Sequence, residues 1–368
     1  MEVHVPAMRG RMGSRTYYAC LMPLNAVPQF FKFTDWAGIS PEDREQRVLN
    51  EKRVPDLEKY IIDNEQDYLF SSITASFKVE PKFEPYTPGS DIGTLKLRLG
   101  DELIINDGQH RAAGIVRALK SGSPSLRDHT LSVLLFPWEN TDRVQQMFSD
   151  LNRFVQKTSK SLDILYDKRD ETAAATLAMI ERVPVFKELT EKEKVSLESK
   201  STKLFTLAAL YDANVDLLKG IEKRDILTNA QILADYWNEV AKHMPDWSKV
   251  LQGQKLAVEL RQEKISSHST VLRALGGLGV DLMAVNSSDW KQHLKKLEDI
   301  DWSKKNPEWE NICIIANSVV SNRQARAATK AFIKSKLGLD LTDGELRSLE
   351  RKGSGEGQHA HDSLSLQF

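Results

Sequence analysis

One short segment of the sequence contains the residues best suited to chemistry. Residues 103–120 read LIINDGQHRAAGIVRALK: an apolar strand pattern, an Asp107-Gly108 pair and an apolar helix pattern. Glycine supplies the backbone freedom that a sharp turn needs. The first turn of a helix presents unpaired amide groups at the positive end of the helix dipole. The segment therefore predicts an anion site between a strand and a helix.

Three polar side chains follow this turn. Gln109, His110 and Arg111 fall in the first turn of the predicted helix, where they can reach the same anion. Arginine offers a fork of donors that matches phosphate, and histidine can donate to phosphate or move a proton near neutral pH. Asp107 could hold a divalent ion or orient the arginine. An ordinary Asp-Gly turn with a solvated arginine is the alternative, and spacing alone leaves both open.

A second polar group lies in and just past a helix predicted over residues 141–155. Asn152 and Gln156 are four residues apart and share a face of that helix. Arg153 and Lys157 share the adjacent face. These side chains could line the same pocket as the turn or contact DNA phosphates. A helix with a solvated polar face is the alternative.

The overall charge limits any DNA binding to local patches. The 368 residues include 51 Lys+Arg and 52 Asp+Glu, so the net charge of −1 excludes a generally basic nucleic-acid coat. Two stretches contain basic residues and no acidic ones. Residues 109–127 include Arg117 and Lys120. Residues 322–336 place basic side chains at three- and four-residue steps, which on a helix predicts one continuous basic stripe. Such a stripe is suited to phosphate contact, and a solvated basic face is the alternative. That stripe consists of Arg323, Arg326, Lys330 and Lys334.

Several common classes of protein are excluded by missing motifs. The two cysteines lie far apart without zinc-ligand spacing, which predicts a reduced, cytoplasmic protein. No GxxxxGK[ST], HExxH or GxSxG pattern occurs, and no helix-turn-helix signature is evident. No run of about 18 apolar residues occurs, so a membrane span is not expected.

The elements that must position these residues fall into two parts. Strands are predicted at 16–24, 72–80 and 130–138, a loop at 80–93, and a hairpin from LKLRL and ELIIN around Gly100-Asp101. A helix is predicted to start at Ser40, and another is predicted to be capped by Thr141. Beyond residue 160, apolar residues recur at helical spacing over 161–182, 201–219, 226–243, 268–285 and 308–338. The polar Gly/Ser-rich end predicts a flexible tail.

Two segments resemble a known family. NDGQHRAAGI (106–115) resembles the signature of the DGQHR domain, and FSDLNRFVQKTSKSLDILYD (148–167) resembles the Asn-containing helix that follows this motif in DndB-type proteins. The similarity covers residues 10–345. It implies a ParB/sulfiredoxin-like mixed α/β domain at 1–160. With the helical periodicity beyond residue 160 and the polar end, the prediction is an α+β protein with a mostly helical domain at 161–345 and a tail at 346–368.

The resemblance also implies a function. DndB-type proteins are associated with gene clusters for DNA phosphorothioation, so the expected role is a DNA-binding transcriptional regulator of a bacterial DNA sulfur modification system. The expected partners are duplex DNA and other proteins of that system. The alternative is a nucleotide triphosphatase or DNA-nicking enzyme that takes ATP or another NTP with Mg, and no other cofactor is expected.

The residue patterns and the resemblance together favour roles for particular residues. Asp107 and His110 are the catalytic candidates. The phosphate-binding candidates are Gly108, Gln109, His110, Arg111, Asn152 and Arg153. The DNA-binding candidates are Arg117, Lys120, Lys157, Arg323, Arg326, Lys330 and Lys334.

Overall fold

A computed structural model of the chain describes residues 2–31, 50–153, 158–220, 222, 224–285 and 289–350. The chain divides into two compact units, Met1–Gln156 and Lys157–Phe368. Each unit has its own hydrophobic core, because the two clusters of buried apolar residues share no member. The expected mixed α/β class is confirmed, with a large mixed sheet and many helices.

A seven-stranded mixed sheet forms the first unit. Its strands are β1 (Glu2–Met12), β2 (Arg15–Pro23), β3 (Ile73–Phe77), β4 (Lys82–Pro85), β5 (Ile92–Arg98), β6 (Leu103–Asp107) and β7 (Thr130–Pro137). They lie in the order β4-β5-β1-β2-β7-β3-β6. All neighbours run antiparallel except β3 and β7, which are parallel.

Alternation along the strands builds the first core. In β2, Tyr18, Cys20 and Met22 are buried while the residues between them are more exposed, as expected when one face of a sheet is covered. The helices of this unit are α1 (Val27–Phe30), α2 (Val54–Asp63), α3 (Gln109–Ser121) and α4 (Thr141–Arg153). Helices α1, α2 and α3 supply apolar residues to that core, whereas α4 contacts β6.

The predicted hairpin is wrong, although both of its strands exist. β5 pairs with β1 and β4, whereas β6 pairs with β3 at the opposite edge of the sheet. Sequence analysis missed β1, an N-terminal strand that pairs with β5 along the whole length of β5. Because β1 and β4 occupy both edges of β5, β6 cannot pair with β5. The segment predicted as a loop also contains β4. The α4 prediction needs a smaller correction, because the side chain of Asn140, and not Thr141, accepts the capping hydrogen bond from the Arg143 N–H (2.8 Å).

The second unit is mostly helical, as predicted. Its helices are α5 (Lys160–Tyr166), α6 (Glu171–Arg182), α7 (Pro184–Leu189), α8 (Leu207–Leu218), α9 (Ile226–Lys242), α10 (Pro245–Leu251), α11 (Ala257–Glu263), α12 (Ser269–Val285), α13 (Trp290–Leu294), α14 (Arg323–Lys336) and α15 (Asp343–Glu350). Two short pairings add β8 (Thr190–Glu191) with β9 (Phe205–Thr206), and β10 (Ile314–Ile315) with β11 (Ser318–Val319).

Three predictions for this unit and its flanks need comment. The helix expected over 308–338 begins only at Arg323, because the first part of that segment forms the β10–β11 pairing. Helix α15 covers the start of the predicted tail, whereas residues 351–368 lie outside the described residues, as does the helix predicted to start at Ser40. Within the described part of the chain, no helix has the length and apolar content to cross a membrane.

Candidate phosphate-binding turn and nucleic-acid surfaces

The backbone of the DGQHR segment folds as the sequence predicts. β6 ends at Asp107, Gly108 caps helix α3 with φ of 101°, and the helix begins at Gln109. A Cβ atom at Gly108 would lie 3.0 Å from Ile73 Cγ1 and 3.1 Å from Arg111 Nη2. Glycine is therefore required here both by the left-handed backbone and by the closeness of its neighbours.

Arg111 uses its guanidinium group inside the fold. Its Nη1 donates to the carbonyl oxygens of Ser71 (2.7 Å) and Ser72 (3.1 Å) and to the Ser71 hydroxyl. Its Nη2 donates to Oδ2 of Asp107, and only 17% of the Arg111 side chain is exposed. Arg111 thus joins the turn to the chain that enters β3. Phosphate binding by Arg111 stays a prediction, since all of these hydrogen bonds are made to other residues of the protein.

The other polar residues of the turn are also held by the protein. His110 Nε2 accepts a hydrogen bond from the Asn50 N–H (3.0 Å), so this nitrogen is unprotonated in that contact. Asn106, just before the turn, is buried and accepts from the Ser76 hydroxyl (2.9 Å). Gln109 lies at the first helical position and is half-buried. The described residues contain no group of three His, Cys, Asp or Glu side chains suited to a metal ion.

The second polar group is only partly described. Asn152 is exposed at the C-terminal end of α4, where its side-chain amide donates to the Phe148 carbonyl (2.8 Å). This contact stays within α4, and the phosphate-binding role of Asn152 remains a prediction. Arg153 is exposed at the last position of the same helix. Gln156 and Lys157 lie outside the described residues.

The basic stripe predicted on α14 is not continuous. Lys334 is buried, with 9% of its side chain exposed, and its Nζ lies 2.9 Å from Glu345 Oε2 and 3.2 Å from Asp281 Oδ2. Lys330 pairs with Asp281 at 2.8 Å. Carboxylates from α12 and α15 therefore neutralise this end of the stripe. Arg323 and Arg326 remain accessible at the other end, without a carboxylate partner among the residues described.

The basic residues of α3 differ in the same way. Arg117 pairs with Glu58 of α2 at 2.7 Å, although half of its side chain is exposed. Lys120 is exposed in the last turn of the helix. Of the two predicted DNA contacts on α3, Lys120 is thus the one whose charge pairs with no carboxylate of the described residues.

A basic β-ribbon was missed by sequence reasoning. β1 pairs with β5 only up to Met8, and β2 pairs with β7 only from Tyr18. Residues 10–17, named here the β1–β2 ribbon, therefore extend past both neighbouring strands, around the turn at Gly13 (φ 62°). The signal was present, since RGRMGSR (9–15) contains three arginines and no acid.

Among the residues that the structure describes, Arg11 is the one arginine of the three that lacks an acidic partner. Arg9 at the base of the ribbon pairs with Asp91 (2.9 Å), and Arg15 pairs with Glu139. Arg11 is exposed, and its Nε donates to the Gly13 carbonyl (3.0 Å). No carboxylate within the described ranges pairs with Arg11, so its charge faces solvent at the tip of the ribbon.

Comparison with known proteins gives one match. The model of the DndB family, described as DNA-sulfur modification-associated, matches residues 5–340. No curated protein and no solved structure matches the chain. The family match spans both units and includes the DGQHR turn, the β1–β2 ribbon and α14. The family expected from the DGQHR segment is thus confirmed: the chain belongs to the DndB family of proteins associated with DNA sulfur modification.

Proposed function

We propose that this protein is a DNA-binding transcriptional regulator of a bacterial DNA sulfur modification system. Family membership supports the link to DNA sulfur modification. The partners in this proposal are duplex DNA and other proteins of the same system. The chain has a near-neutral net charge, so DNA contacts must come from local basic surfaces.

The observation that supports DNA binding best is the β1–β2 ribbon. Two antiparallel strands have the right width to enter the major groove of B-form DNA. The ribbon extends past the sheet, and Arg11 at its tip has no carboxylate partner among the residues described. An arginine in this position can contact phosphates or the base edges of guanine.

Three further cations extend the proposed DNA contacts. Arg323 and Arg326 lie in the first turn of α14, and Lys120 is exposed on α3. Lys330 and Lys334 are left out of the proposed contacts, because carboxylates neutralise them. The Arg117 charge is likewise shared with Glu58.

Fluorescence anisotropy with labelled duplex DNA tests the proposal over a range of salt concentrations. We expect Arg11→Ala to weaken binding and to reduce the slope of log K against log salt by about 1, the effect of losing one phosphate contact. If Arg11→Ala leaves the salt slope unchanged but alters the preference among DNA sequences, Arg11 contacts bases and not phosphates. Arg98→Ala is the matched control, because Arg98 is an exposed arginine of the same sheet that pairs with Asp101 (3.2 Å). Equal affinities of the Arg11→Ala variant and the parent protein would contradict the ribbon as the DNA-binding element.

The enzymatic alternative places different demands on the DGQHR turn. A nucleotide triphosphatase or nicking enzyme would need Asp107 to hold a metal ion or a water molecule. In the structure, this carboxylate accepts a hydrogen bond from Arg111. Binding of an NTP with Mg at the turn would have to compete with that contact, which is why the regulator is the function that we propose.

A further inference from the structure

A cavity of about 290 Å³ lies in the second unit, away from the DGQHR motif in the sequence. It is formed around the N-terminal end of helix α12, between the chain before α8 and the segment after α11. Its wall contains three cationic side chains and no carboxylate. These cations are Arg261, Lys264 and Lys304.

The positive charge around the cavity is only partly neutralised. Arg261 directs its guanidinium group at the backbone carbonyls of Ala257, Glu198, Ser199 and Ser201, which accept hydrogen bonds without cancelling a full charge. Lys304 donates to the Arg261 carbonyl (2.7 Å), and Lys264 lies 3.3 Å from Asp301. Neither Arg261 nor Lys304 has a carboxylate partner in the part of the chain that the structure describes. Burial lowers the pKa of Arg261, as expected for a cation without a neutralising anion.

Two neutral side chains add donors that no described residue engages. Ser267 is 8% exposed and lines the cavity, and its hydroxyl makes no hydrogen bond to any described residue. His268 Nδ1 accepts a hydrogen bond from the Thr270 N–H (3.3 Å), which assigns the ring hydrogen to Nε2. Burial, with a smaller effect of the Lys304 charge, lowers the pKa of His268, so the ring is neutral at pH 7 and Nε2–H is a donor. That donor also has no acceptor among the described residues.

The N-terminal end of α12 adds to the same potential. The helix is 17 residues long, and its first residue, Ser269, lines the cavity. The first amide groups of a helix lack intrahelical acceptors and lie at the positive end of its dipole. Ser267, a residue only 8% exposed, lines the same cavity with a hydroxyl that no described residue engages, so an anion there would find this donor beside the helix amides.

Part of the cavity lining is apolar. Val195, Leu197, Leu204 and Ala209 line it. A free anion needs no such wall, whereas a phosphate ester can place its organic part against it. A volume of about 290 Å³ lies near the lower limit for small-molecule sites.

We propose that this cavity binds the phosphate group of a small ligand, with Arg261, Lys264 and Lys304 supplying charge and with Ser267, His268 and the first turn of α12 supplying hydrogen bonds. Inorganic phosphate and a nucleoside monophosphate share this chemistry. The proposal goes beyond DNA regulation, since it does not depend on DNA binding. It also lies apart from the phosphate predicted at the DGQHR turn.

Titration calorimetry on the full-length protein tests the proposal with inorganic phosphate and with AMP. We expect saturable binding that Lys304→Ala weakens about tenfold or more, the effect of removing a charged donor, while Ser267→Ala weakens it by a smaller factor. Lys305→Ala is the matched control, because Lys305 is an exposed neighbour that does not line the cavity. Its affinity should remain within about twofold of the parent value. A thermal melt of each variant shows whether it is folded.

The two ligands and a second control separate the outcomes. Tighter binding of AMP than of inorganic phosphate identifies an organic phosphate as the ligand, and equal binding identifies phosphate itself; both support the site. Binding lost in Arg111→Ala but kept in Lys304→Ala and Ser267→Ala would move the ligand to the DGQHR turn and overturn the proposal. No binding up to about 10 mM ligand, equal losses in Lys304→Ala and Lys305→Ala, or displacement of AMP by duplex DNA would also overturn it.

Discussion

At the scale of single residues, the DGQHR turn depends on Gly108 and Arg111 together. Gly108 has a φ of 101°, a conformation that costs an L-residue roughly 1–2 kcal/mol. Its missing side chain also leaves room for the Arg111 guanidinium group, which crosses to Ser71 and Ser72. The motif therefore stabilises the fold by joining the turn to the chain before β3, whether or not it also binds a ligand.

The requirement for glycine can be measured against a matched position. We expect Gly108→Ala to lower the free energy of unfolding by about 2 kcal/mol or more, since backbone strain adds to the contacts with Ile73 and Arg111. Gly100→Ala should cost about 1 kcal/mol, because Gly100 has a similar φ of 103° but open space around its Cβ position. Urea denaturation compares the two variants. Equal losses would show that the space around Gly108 does not matter.

Removing Arg111 separates the structural role from the ligand role. We expect Arg111→Ala to lower the free energy of unfolding by about 2 kcal/mol, because Asp107 and the Ser71 and Ser72 carbonyls lose a charged donor. Arg111→Lys should restore part of that loss, since an ammonium group cannot reach two partners in the same geometry. Parent-like stability of Arg111→Ala, together with lost phosphate binding, would show instead that the guanidinium group serves a ligand.

At the scale of elements, a partly buried ionic cluster holds α12, α14 and α15 together. Lys330 and Lys334 of α14 lie between Asp281 of α12 and Glu345 of α15. Burial alone would raise the pKa of Glu345, but hydrogen bonds from the Thr342 N–H and Lys334 lower it to about 2. The charged form of Glu345 is thus strongly favoured in the folded protein.

This cluster predicts a pH-dependent effect of Glu345→Gln. A carboxylate with a lowered pKa stabilises the fold above its unfolded pKa of about 4.3, and the contribution is lost as the pH falls toward about 2. We expect the variant to lose about 3 kcal/mol at pH 7, because Lys334 is left buried with a weaker partner, and much less near pH 2. Denaturation followed by tryptophan fluorescence at several pH values measures this difference.

Glu350→Gln is the control for the ionic cluster. Glu350 is exposed at the end of α15 and forms no ion pair with any residue that the structure describes. Its substitution should change stability little at any pH. A loss in Glu345→Gln that persists unchanged at low pH would mean that the side chain matters for packing and not for its charge.

At the scale of the whole molecule, each unit contains one cysteine in its core. Cys20 is 2% exposed in the first unit, and Cys313 is fully buried in the second. Burial raises the pKa of Cys20 to about 12 and the pKa of Cys313 to about 11. The thiolate is the reactive form of cysteine. Both cysteines are therefore protected from thiol reagents, because burial excludes the reagent and the raised pKa keeps the thiol protonated.

The two thiols can therefore report separately on the two cores. We expect neither to react with a thiol reagent at pH 8 in the native protein. With increasing urea, a Cys313→Ala variant should report the opening of the first unit, and a Cys20→Ala variant the opening of the second. Rapid labelling of either thiol without denaturant would contradict the burial of that core, and a single shared midpoint would show that the units unfold cooperatively.

The candidate site was only partly predictable from the sequence. The strand, turn and helix of the DGQHR segment follow from patterns within a few residues, so they could be predicted. The contacts of Arg111 could not, because Ser71 and Ser72 belong to a segment about 40 residues away. The β1–β2 ribbon has a local signal in its arginines, but its extension past the sheet depends on where β5 and β7 end.

The sequence by itself determined the family, the fold class, most of the longer helices and five of the seven strands of the large sheet. These properties depend on motifs, turn residues and periodicity, all of which act between near neighbours in the chain. The tertiary structure alone decided that β5 pairs with β1 and not with β6, and that half of the α14 stripe is neutralised by Asp281 and Glu345. Strand pairing and charge neutralisation join residues far apart in sequence, so they are set by the packing of the whole unit.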